Sequence, residues 1–237
     1  MGRPAPLLDD AALERSAVVA NCCMNRERQL AGVNSYAREL GFDPLAVLAA
    51  AGGPSPGWLD LCCGTGRALI QAAERLRHDS SAGRVALVGV DLVDAFDPVP
   101  GGAPGLELVQ ASVVTWLPSR AFDLVTCLHG LHYVGDKLGV LTRAASWLTP
   151  TGRLVADLDL TDVRLADGAP AGRGLAGRLR AAGFRYDSRR RRIECEGGRD
   201  VRLPYRYLGA DEGAGPNCTG QPAVRSHYDS QAGHEGW

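Results

Sequence analysis

Between Trp58 and Leu160 the sequence alternates short apolar runs with stretches of helical spacing, and this alternation restricts the fold more than any single motif. The runs are 58–62 (WLDLC), 84–90 (RVALVGV), 106–110 (LELVQ), 122–127 (FDLVTC) and 153–160 (RLVADLDL). RVALVGV is apolar throughout after its first residue, as expected of a strand buried on both faces. Segments 67–76 and 137–148 carry helical spacing between the runs. Strands alternating with helices predict an α/β, doubly wound, mostly parallel sheet with helices on both faces. Ligands of such sheets bind beyond the carboxyl ends of the strands, where the strand order reverses.

The flanks read differently. Residues 7–50 look helical: 7–19 is amphipathic, 34–40 stops at Gly41, and Asp43-Pro44 opens a short helix reaching Ala51. Gly52-Gly-Pro-Ser-Pro-Gly57 is the clearest boundary in the chain. Beyond Leu160 a helix is expected over 174–182, ending at Gly183. Strands over 185–196 and 199–208 flank Gly197-Gly198, a two-residue hairpin signal. Arg189–Arg192 then reads as a solvated face of that hairpin. From Gly209 the chain looks like loop. The expected organisation is a helical cap over 1–56, a Rossmann-like domain over 57–208 and a tail over 209–237.

Bulk properties narrow the function classes. The 237 residues carry a net charge of −1, which gives no electrostatic reason to expect nucleic acid or an anionic membrane as partner. No window is apolar enough for a transmembrane helix, and Asp9, Asp10 and Glu14 stand where a signal peptide needs its apolar core. A cytoplasmic location is expected. The seven cysteines include no C-x-x-C pair, so neither a disulfide framework nor a zinc site is supported. Lys137 is the only lysine, which composition bias explains.

Chemistry concentrates at the ends of the runs. Asp60-Leu-Cys-Cys-Gly-Thr-Gly66 is the first strand-to-helix turn, and Gly64 and Gly66 let the backbone bend and approach a ligand closely. A dinucleotide fingerprint needs a third glycine where Leu69 stands, and a Walker loop needs a Gly-Lys-Ser/Thr that is absent. Asp91 ends the second run, roughly 20 residues beyond the loop, where a carboxylate can accept both ribose hydroxyls. After the fourth run comes Cys127-Leu-His-Gly-Leu-His132.

Taken together, these motifs resemble class I S-adenosylmethionine-dependent methyltransferases over residues 57–160. Asp60, Cys62, Gly64 and Gly66 stand at the four positions of that family's acidic-x-G-x-G-x-G loop, with Cys62 replacing the first glycine. The resemblance implies a seven-stranded sheet whose last strand is antiparallel, with S-adenosylmethionine as cofactor and S-adenosylhomocysteine as product. It implies that the loop wraps the methionine portion, with Asp60 near its ammonium group, often through water. Asp91 would hold the ribose, with Leu92 beside the adenine. The family's adenine-binding aspartate after the third strand is replaced by Ser112, with Val113 as backbone partner. Cys127 and Leu128 would meet the cofactor through backbone. Tyr36 or Arg38 of the cap would reach the cofactor carboxylate or the substrate, although Tyr36 equally suits simple helix packing.

His129 and His132 are the candidate bases, since either could take a proton as the methyl moves. Each equally suits orienting a loop or capping a helix, and methyl transfer to a good nucleophile can proceed by positioning alone. Asn/Asp-Pro-Pro-aromatic and Pro-Cys motifs of nucleic-acid methyltransferases are absent, and no strand-4 carboxylate matches Asp157 and Asp159 for a metal. The expected acceptor is therefore a small molecule or peptide, handled without metal. A non-methylating reaction on the same fold, or a silent scaffold, remains the alternative. Adjacent Cys62 and Cys63, Cys127, and Cys22-Cys23 read as small packing residues. Segment 215–221 either closes over the acceptor or stays a surface loop.

Overall fold

A computed structural model describes residues 6–20, 27–78, 83–99, 101–215 and 220–231. Its centre is a seven-stranded sheet ordered β3-β2-β1-β4-β5-β8-β7. The strands are β1 (Gly57–Leu61), β2 (Ala86–Asp91), β3 (Leu106–Gln110), β4 (Phe122–Cys127), β5 (Leu148–Asp157), β7 (Arg185–Asp187) and β8 (Arg192–Glu196). All pairs through β5 are parallel, and β8 alone runs against the rest. The order reverses at β1 and β4, which places the switch point beside the two loops singled out by sequence.

Side-chain alternation builds a core on each face. Leu59 and Leu61 of β1, Val88 and Val90 of β2 and Val125 of β4 pack with α5 (Lys137–Ser146) and α6 (Gly172–Ala181). Trp58, Leu87 and Leu124 point the other way, onto α4 (Arg67–His78) and the cap helices α2 (Tyr36–Leu40) and α3 (Pro44–Ala50). Leu69 of α4 stands where a dinucleotide loop has its third glycine. The room comes instead from Gly89 of β2, where an added Cβ would lie 2.7 Å from the Leu69 side chain. The close helix–strand contact is kept, with the glycine moved onto the strand.

Several expectations need correction. Among the described residues of 7–50, helix is confined to α1 (Asp10–Glu14), α2 and α3. The caps read from sequence are there: Gly41 ends α2 at φ 78° and the Asp43 side chain accepts from Leu45 N–H. Leu8 leaves the expected amphipathic helix to bridge Ala210. The hairpin does not turn at Gly197-Gly198 but between β7 and β8, because Asp187 accepts from the N–H groups of Arg189 and Arg190 and nucleates the turn there. Gly198 instead lets the backbone pass β5, where a Cβ would lie 2.2 Å from the Leu148 carbonyl. Arg192 is not solvated; it is 7% exposed and hydrogen-bonded to Asp157. The fifth strand starts earlier than the run 153–160, since β5 already begins at Leu148.

The expected loop after Gly209 contains strand on both sides of its described loop residues. β9 (Tyr205–Asp211) and β10 (Arg225–Ser230) pair antiparallel, and β10 pairs in parallel with β6 (Val163–Leu165), forming a second sheet. Lys137 fastens this sheet to the first. It is 1% exposed, and its Nζ donates to Val134 O, Val224 O and Ser226 Oγ at 2.8–2.9 Å. Burial lowers its pKa to about 7. No described helix is long and apolar enough to cross a membrane.

Candidate active site

A cavity open to solvent lies at the carboxyl ends of β1, β2 and β4 and is roofed by the cap. Its floor begins with the glycine loop. Cys62 has φ 57°, Gly64 φ 61° and Gly66 φ 72°, so the alternate positions of the motif all take the left-handed conformation. A non-glycine residue there costs on the order of 1 kcal/mol. The loop geometry is fixed by Cys63 N–H on the Val90 carbonyl (3.1 Å) and Gly64 N–H on Asp91 Oδ2 (2.8 Å). Hydrogen bonding to Cys127, then burial, hold the Cys62 thiol well above its ordinary pKa, so it is no nucleophile. Cys62, Cys63, Cys127 and Cys195 are free thiols, while Cys22, Cys23 and Cys218 lie outside the described residues.

Asp91 is 4% exposed and lines the cavity. Besides Gly64 N–H it accepts Val93 N–H on Oδ1 (3.1 Å). Asp60 behaves differently. Both its oxygens are taken, by Tyr36 Oη–H and Thr126 Oγ1–H at 2.6 Å each, and Thr126 in turn accepts Trp58 Nε1–H (2.8 Å). Burial raises the Asp60 pKa to about 7. Asp60 is thus behind the wall, and the Tyr36 ring, edge-on to Trp58 at 5.5 Å, is the face it presents.

Leu92, Leu128, Cys62 and Gly64 line the cavity. Gly66, Ser112, Val113 and Cys127 lie off the wall: Gly66 packs on Leu108, Cys127 on Gly130, and Val113 is in the core. Their neighbours Val114 and Gly130 take the wall positions. Arg38 is exposed and donates to the Val33 carbonyl, so it does not reach the cavity; Arg28 does. Of segment 215–221, Gln221 is described at the cavity.

The two histidines separate. His132 is 2% exposed, off the cavity wall, with Nδ1 3.7 Å from Asp162 Oδ2. His129 lines the cavity at φ 60°. Its Nε2 lies 2.7 Å from Glu39 Oε2 and 3.4 Å from Asp157 Oδ2, and its N–H reaches Asp157 at 3.3 Å. Its Nδ1 is buried with no hydrogen-bond partner in the protein. Carboxylates on Nε2 assign the ring proton there and leave Nδ1 as a bare acceptor.

Arg28 pairs with Glu39, and Arg192 pairs with Asp157 while also donating to the Glu39 carbonyl. Burial alone would raise the Glu39 carboxyl, but the His129 hydrogen bond, His129 and Arg28 outweigh it and hold the pKa low. Glu39, His129 and Asp157 have ligand atoms within 4.8 Å of one another. With both carboxylates already neutralised by guanidiniums, this donor set suits a clamped histidine better than a divalent cation. Glu14, Arg28, Glu39 and Arg192 had no sequence signal as site residues.

A Rossmann-like sheet, a glycine loop at its switch point and a carboxylate ending β2 define the class I methyltransferase architecture. A family model described as a methyltransferase domain matches residues 33–193, and the chain belongs to that family. Trans-aconitate 2-methyltransferase of Acidovorax sp. (strain JS42) is 29% identical over 114 residues, covering 47% of this chain and 42% of that protein. The protein of the same name from Acidovorax ebreus (strain TPSY) matches equally. The chain spans less than half the length of these curated relatives. Among solved structures, CalS10, an amino pentose methyltransferase from Micromonospora echinaspora with bound SAM, is 26% identical with a TM-score of 0.35, covering 47% of this chain and 46% of that one. NodS, an N-methyltransferase from Bradyrhizobium japonicum in complex with S-adenosyl-L-homocysteine, is 18% identical with a TM-score of 0.36, covering 52% and 62%.

Proposed function

We propose that the protein is an S-adenosylmethionine-dependent methyltransferase acting on a small-molecule or peptide acceptor in the cytoplasm. The observation that carries this reading is Asp91, held by Gly64 and Val93 N–H groups at the mouth of a left-handed glycine loop, in one cavity that His129 also lines. The residues present fit the cofactor. Asp91 would hold the ribose diol, with Leu92 beside the base and the Leu128 backbone towards the sulfonium; all three line the cavity. The backbone around Cys62–Gly64 faces the methionine portion without bulky side chains. Tyr36, backed by Asp60, closes that end. When bound, S-adenosylmethionine would supply an electrophilic methyl on its sulfonium for transfer to an acceptor lone pair, with S-adenosylhomocysteine as the leaving group.

The chain's own work is alignment and proton transfer. His129 Nδ1 takes the proton of the acceptor amine or hydroxyl, and Glu39 and Asp157 stabilise the imidazolium that results. The cap residues Leu13 and Val19 give the cavity an apolar wall. His132 has no part in this reading. Its buried site beside Asp162, and its carbonyl on Val224 N–H, give it a structural role.

The test is incubation with S-adenosylmethionine and a panel of amines, alcohols, carboxylates and short peptides, with S-adenosylhomocysteine read by mass spectrometry. Acceptor-dependent release of homocysteine product is the expected result. Failure to bind S-adenosylmethionine would overturn the reading, and binding without product across the panel would favour a non-methylating reaction.

A further inference from the structure

Glu14 lines the cavity but has no part in the chemistry above. It closes α1, yet its carboxylate accepts a hydrogen bond from Ser112 Oγ, just beyond the carboxyl end of β3. Ser112 Oγ accepts Val114 N–H (3.1 Å), and Val114 is itself a wall residue. The helix that carries Glu14 is anchored. Asp9 Oδ1 caps it on Ala12 N–H (2.7 Å), Leu13 is 1% exposed, and Leu8 exchanges both backbone hydrogen bonds with Ala210 of β9 (2.8 and 2.9 Å). Glu14 is therefore placed at the β3 end by the second sheet and by Ser112 together.

We infer that Glu14 reads the exocyclic amino group of the adenine. This rests on the cofactor reading proposed above. A ribose held by Asp91 at the end of β2 sends its base along Leu92 towards β3, the next strand in the sheet, where Ser112, Val114 and Glu14 meet. An amino group desolvated there needs an acceptor, and a carboxylate can only accept. The same carboxylate rejects a base with a carbonyl in that position, because two acceptors would face each other. Asp10, the other acid that α1 gives the cavity, lies against Gly135 and Tyr207 and so serves a different part of the wall. Ser112 acts through Glu14, as a positioning residue.

Base recognition thus comes from the cap and not from the sheet, so the N-terminal segment is part of the cofactor site. Calorimetric titration of wild-type protein, Glu14→Gln and Glu14→Ala with S-adenosylhomocysteine and with S-inosylhomocysteine tests this without any acceptor. The wild type should prefer the adenosyl compound at least tenfold. Glu14→Gln, whose amide can donate to a carbonyl, should narrow that ratio tenfold or more, and Glu14→Ala should weaken adenosyl binding about tenfold. Because the ratio comes from one preparation of each variant, a loss of folded protein does not mimic the effect. A wild type that binds S-adenosylhomocysteine while Glu14→Gln keeps the wild-type ratio would overturn the role of Glu14 and leave the cofactor reading intact. A wild type that binds neither compound would overturn both.

Discussion

The loops after β1 and after β4 face each other across one cavity, yet they are built on different principles. The β1 loop is made by its own backbone. Left-handed residues at 62, 64 and 66 and two hydrogen bonds to the neighbouring strand β2 give it its shape. The β4 loop takes its chemistry from elsewhere: His129 is held by Glu39 of α2, Asp157 of β5 and, behind them, Arg28 and Arg192. Gly130 joins the two loops, since a Cβ there would lie 2.4 Å from Cys62. A binding surface can be made from consecutive residues, whereas an oriented proton acceptor needs partners fixed from several directions.

That division predicts separable effects. His129→Ala should lower kcat about 100-fold with any acceptor that turns over. Its affinity for S-adenosylhomocysteine should stay within about threefold of wild type, because no cofactor group is assigned to it. An equal loss in both would merge the two loops into one binding unit. Glu39→Gln should cost about tenfold in kcat, with KM nearly unchanged, since the amide still accepts from Nε2–H but cannot stabilise an imidazolium. If Glu39→Gln kept full turnover, the clamp would be structural only.

Two buried charges give the next effect, in stability. Asp60 titrates near 7 in the folded protein, above its ordinary 3.8, so the folded state holds the extra proton and stability falls as pH rises from about 4 to 7. Lys137 titrates near 7, below its ordinary 10.5, so the unfolded chain holds more protons from pH 7 to 10 and stability rises across that range. Urea midpoints should show Asp60→Asn flattening the acid side and Lys137→Met the alkaline side. Unchanged slopes would show that neither group is desolvated as described. The smallest effect is Cys62→Gly, which removes left-handed strain of about 1 kcal/mol against a backbone entropy cost of similar size. Its Tm should stay within a few degrees of wild type and cofactor affinity should not fall, whereas a marked loss of either would make the cysteine itself functional.

The same division explains what was legible in the sequence. The β1–α4–β2 unit, the acid ending β2 and the mostly parallel sheet follow from local periodicity and turn chemistry, so they could be read directly, whereas the strand order could not. Leu69 correctly excluded a dinucleotide loop, although its compensation at Gly89 is a packing fact visible only in three dimensions. Glu39 and Arg192 were invisible because their partners are 90 and 35 residues away in sequence. Gly197-Gly198 misled because glycine pairs also serve where two backbones pass closely, and the Asp187 turn won. The second sheet was missed because β6 has only three residues, too few to show a period.

The central claim is that Asp91 and the glycine loop form a cofactor site that works independently of the β4 loop. Calorimetric titration of wild type, Asp91→Ala and His129→Ala with S-adenosylhomocysteine tests it most directly. The account predicts one site per chain in wild type, similar affinity in His129→Ala, and at least tenfold weaker binding in Asp91→Ala. Asp91→Ala binding as tightly as wild type would contradict it.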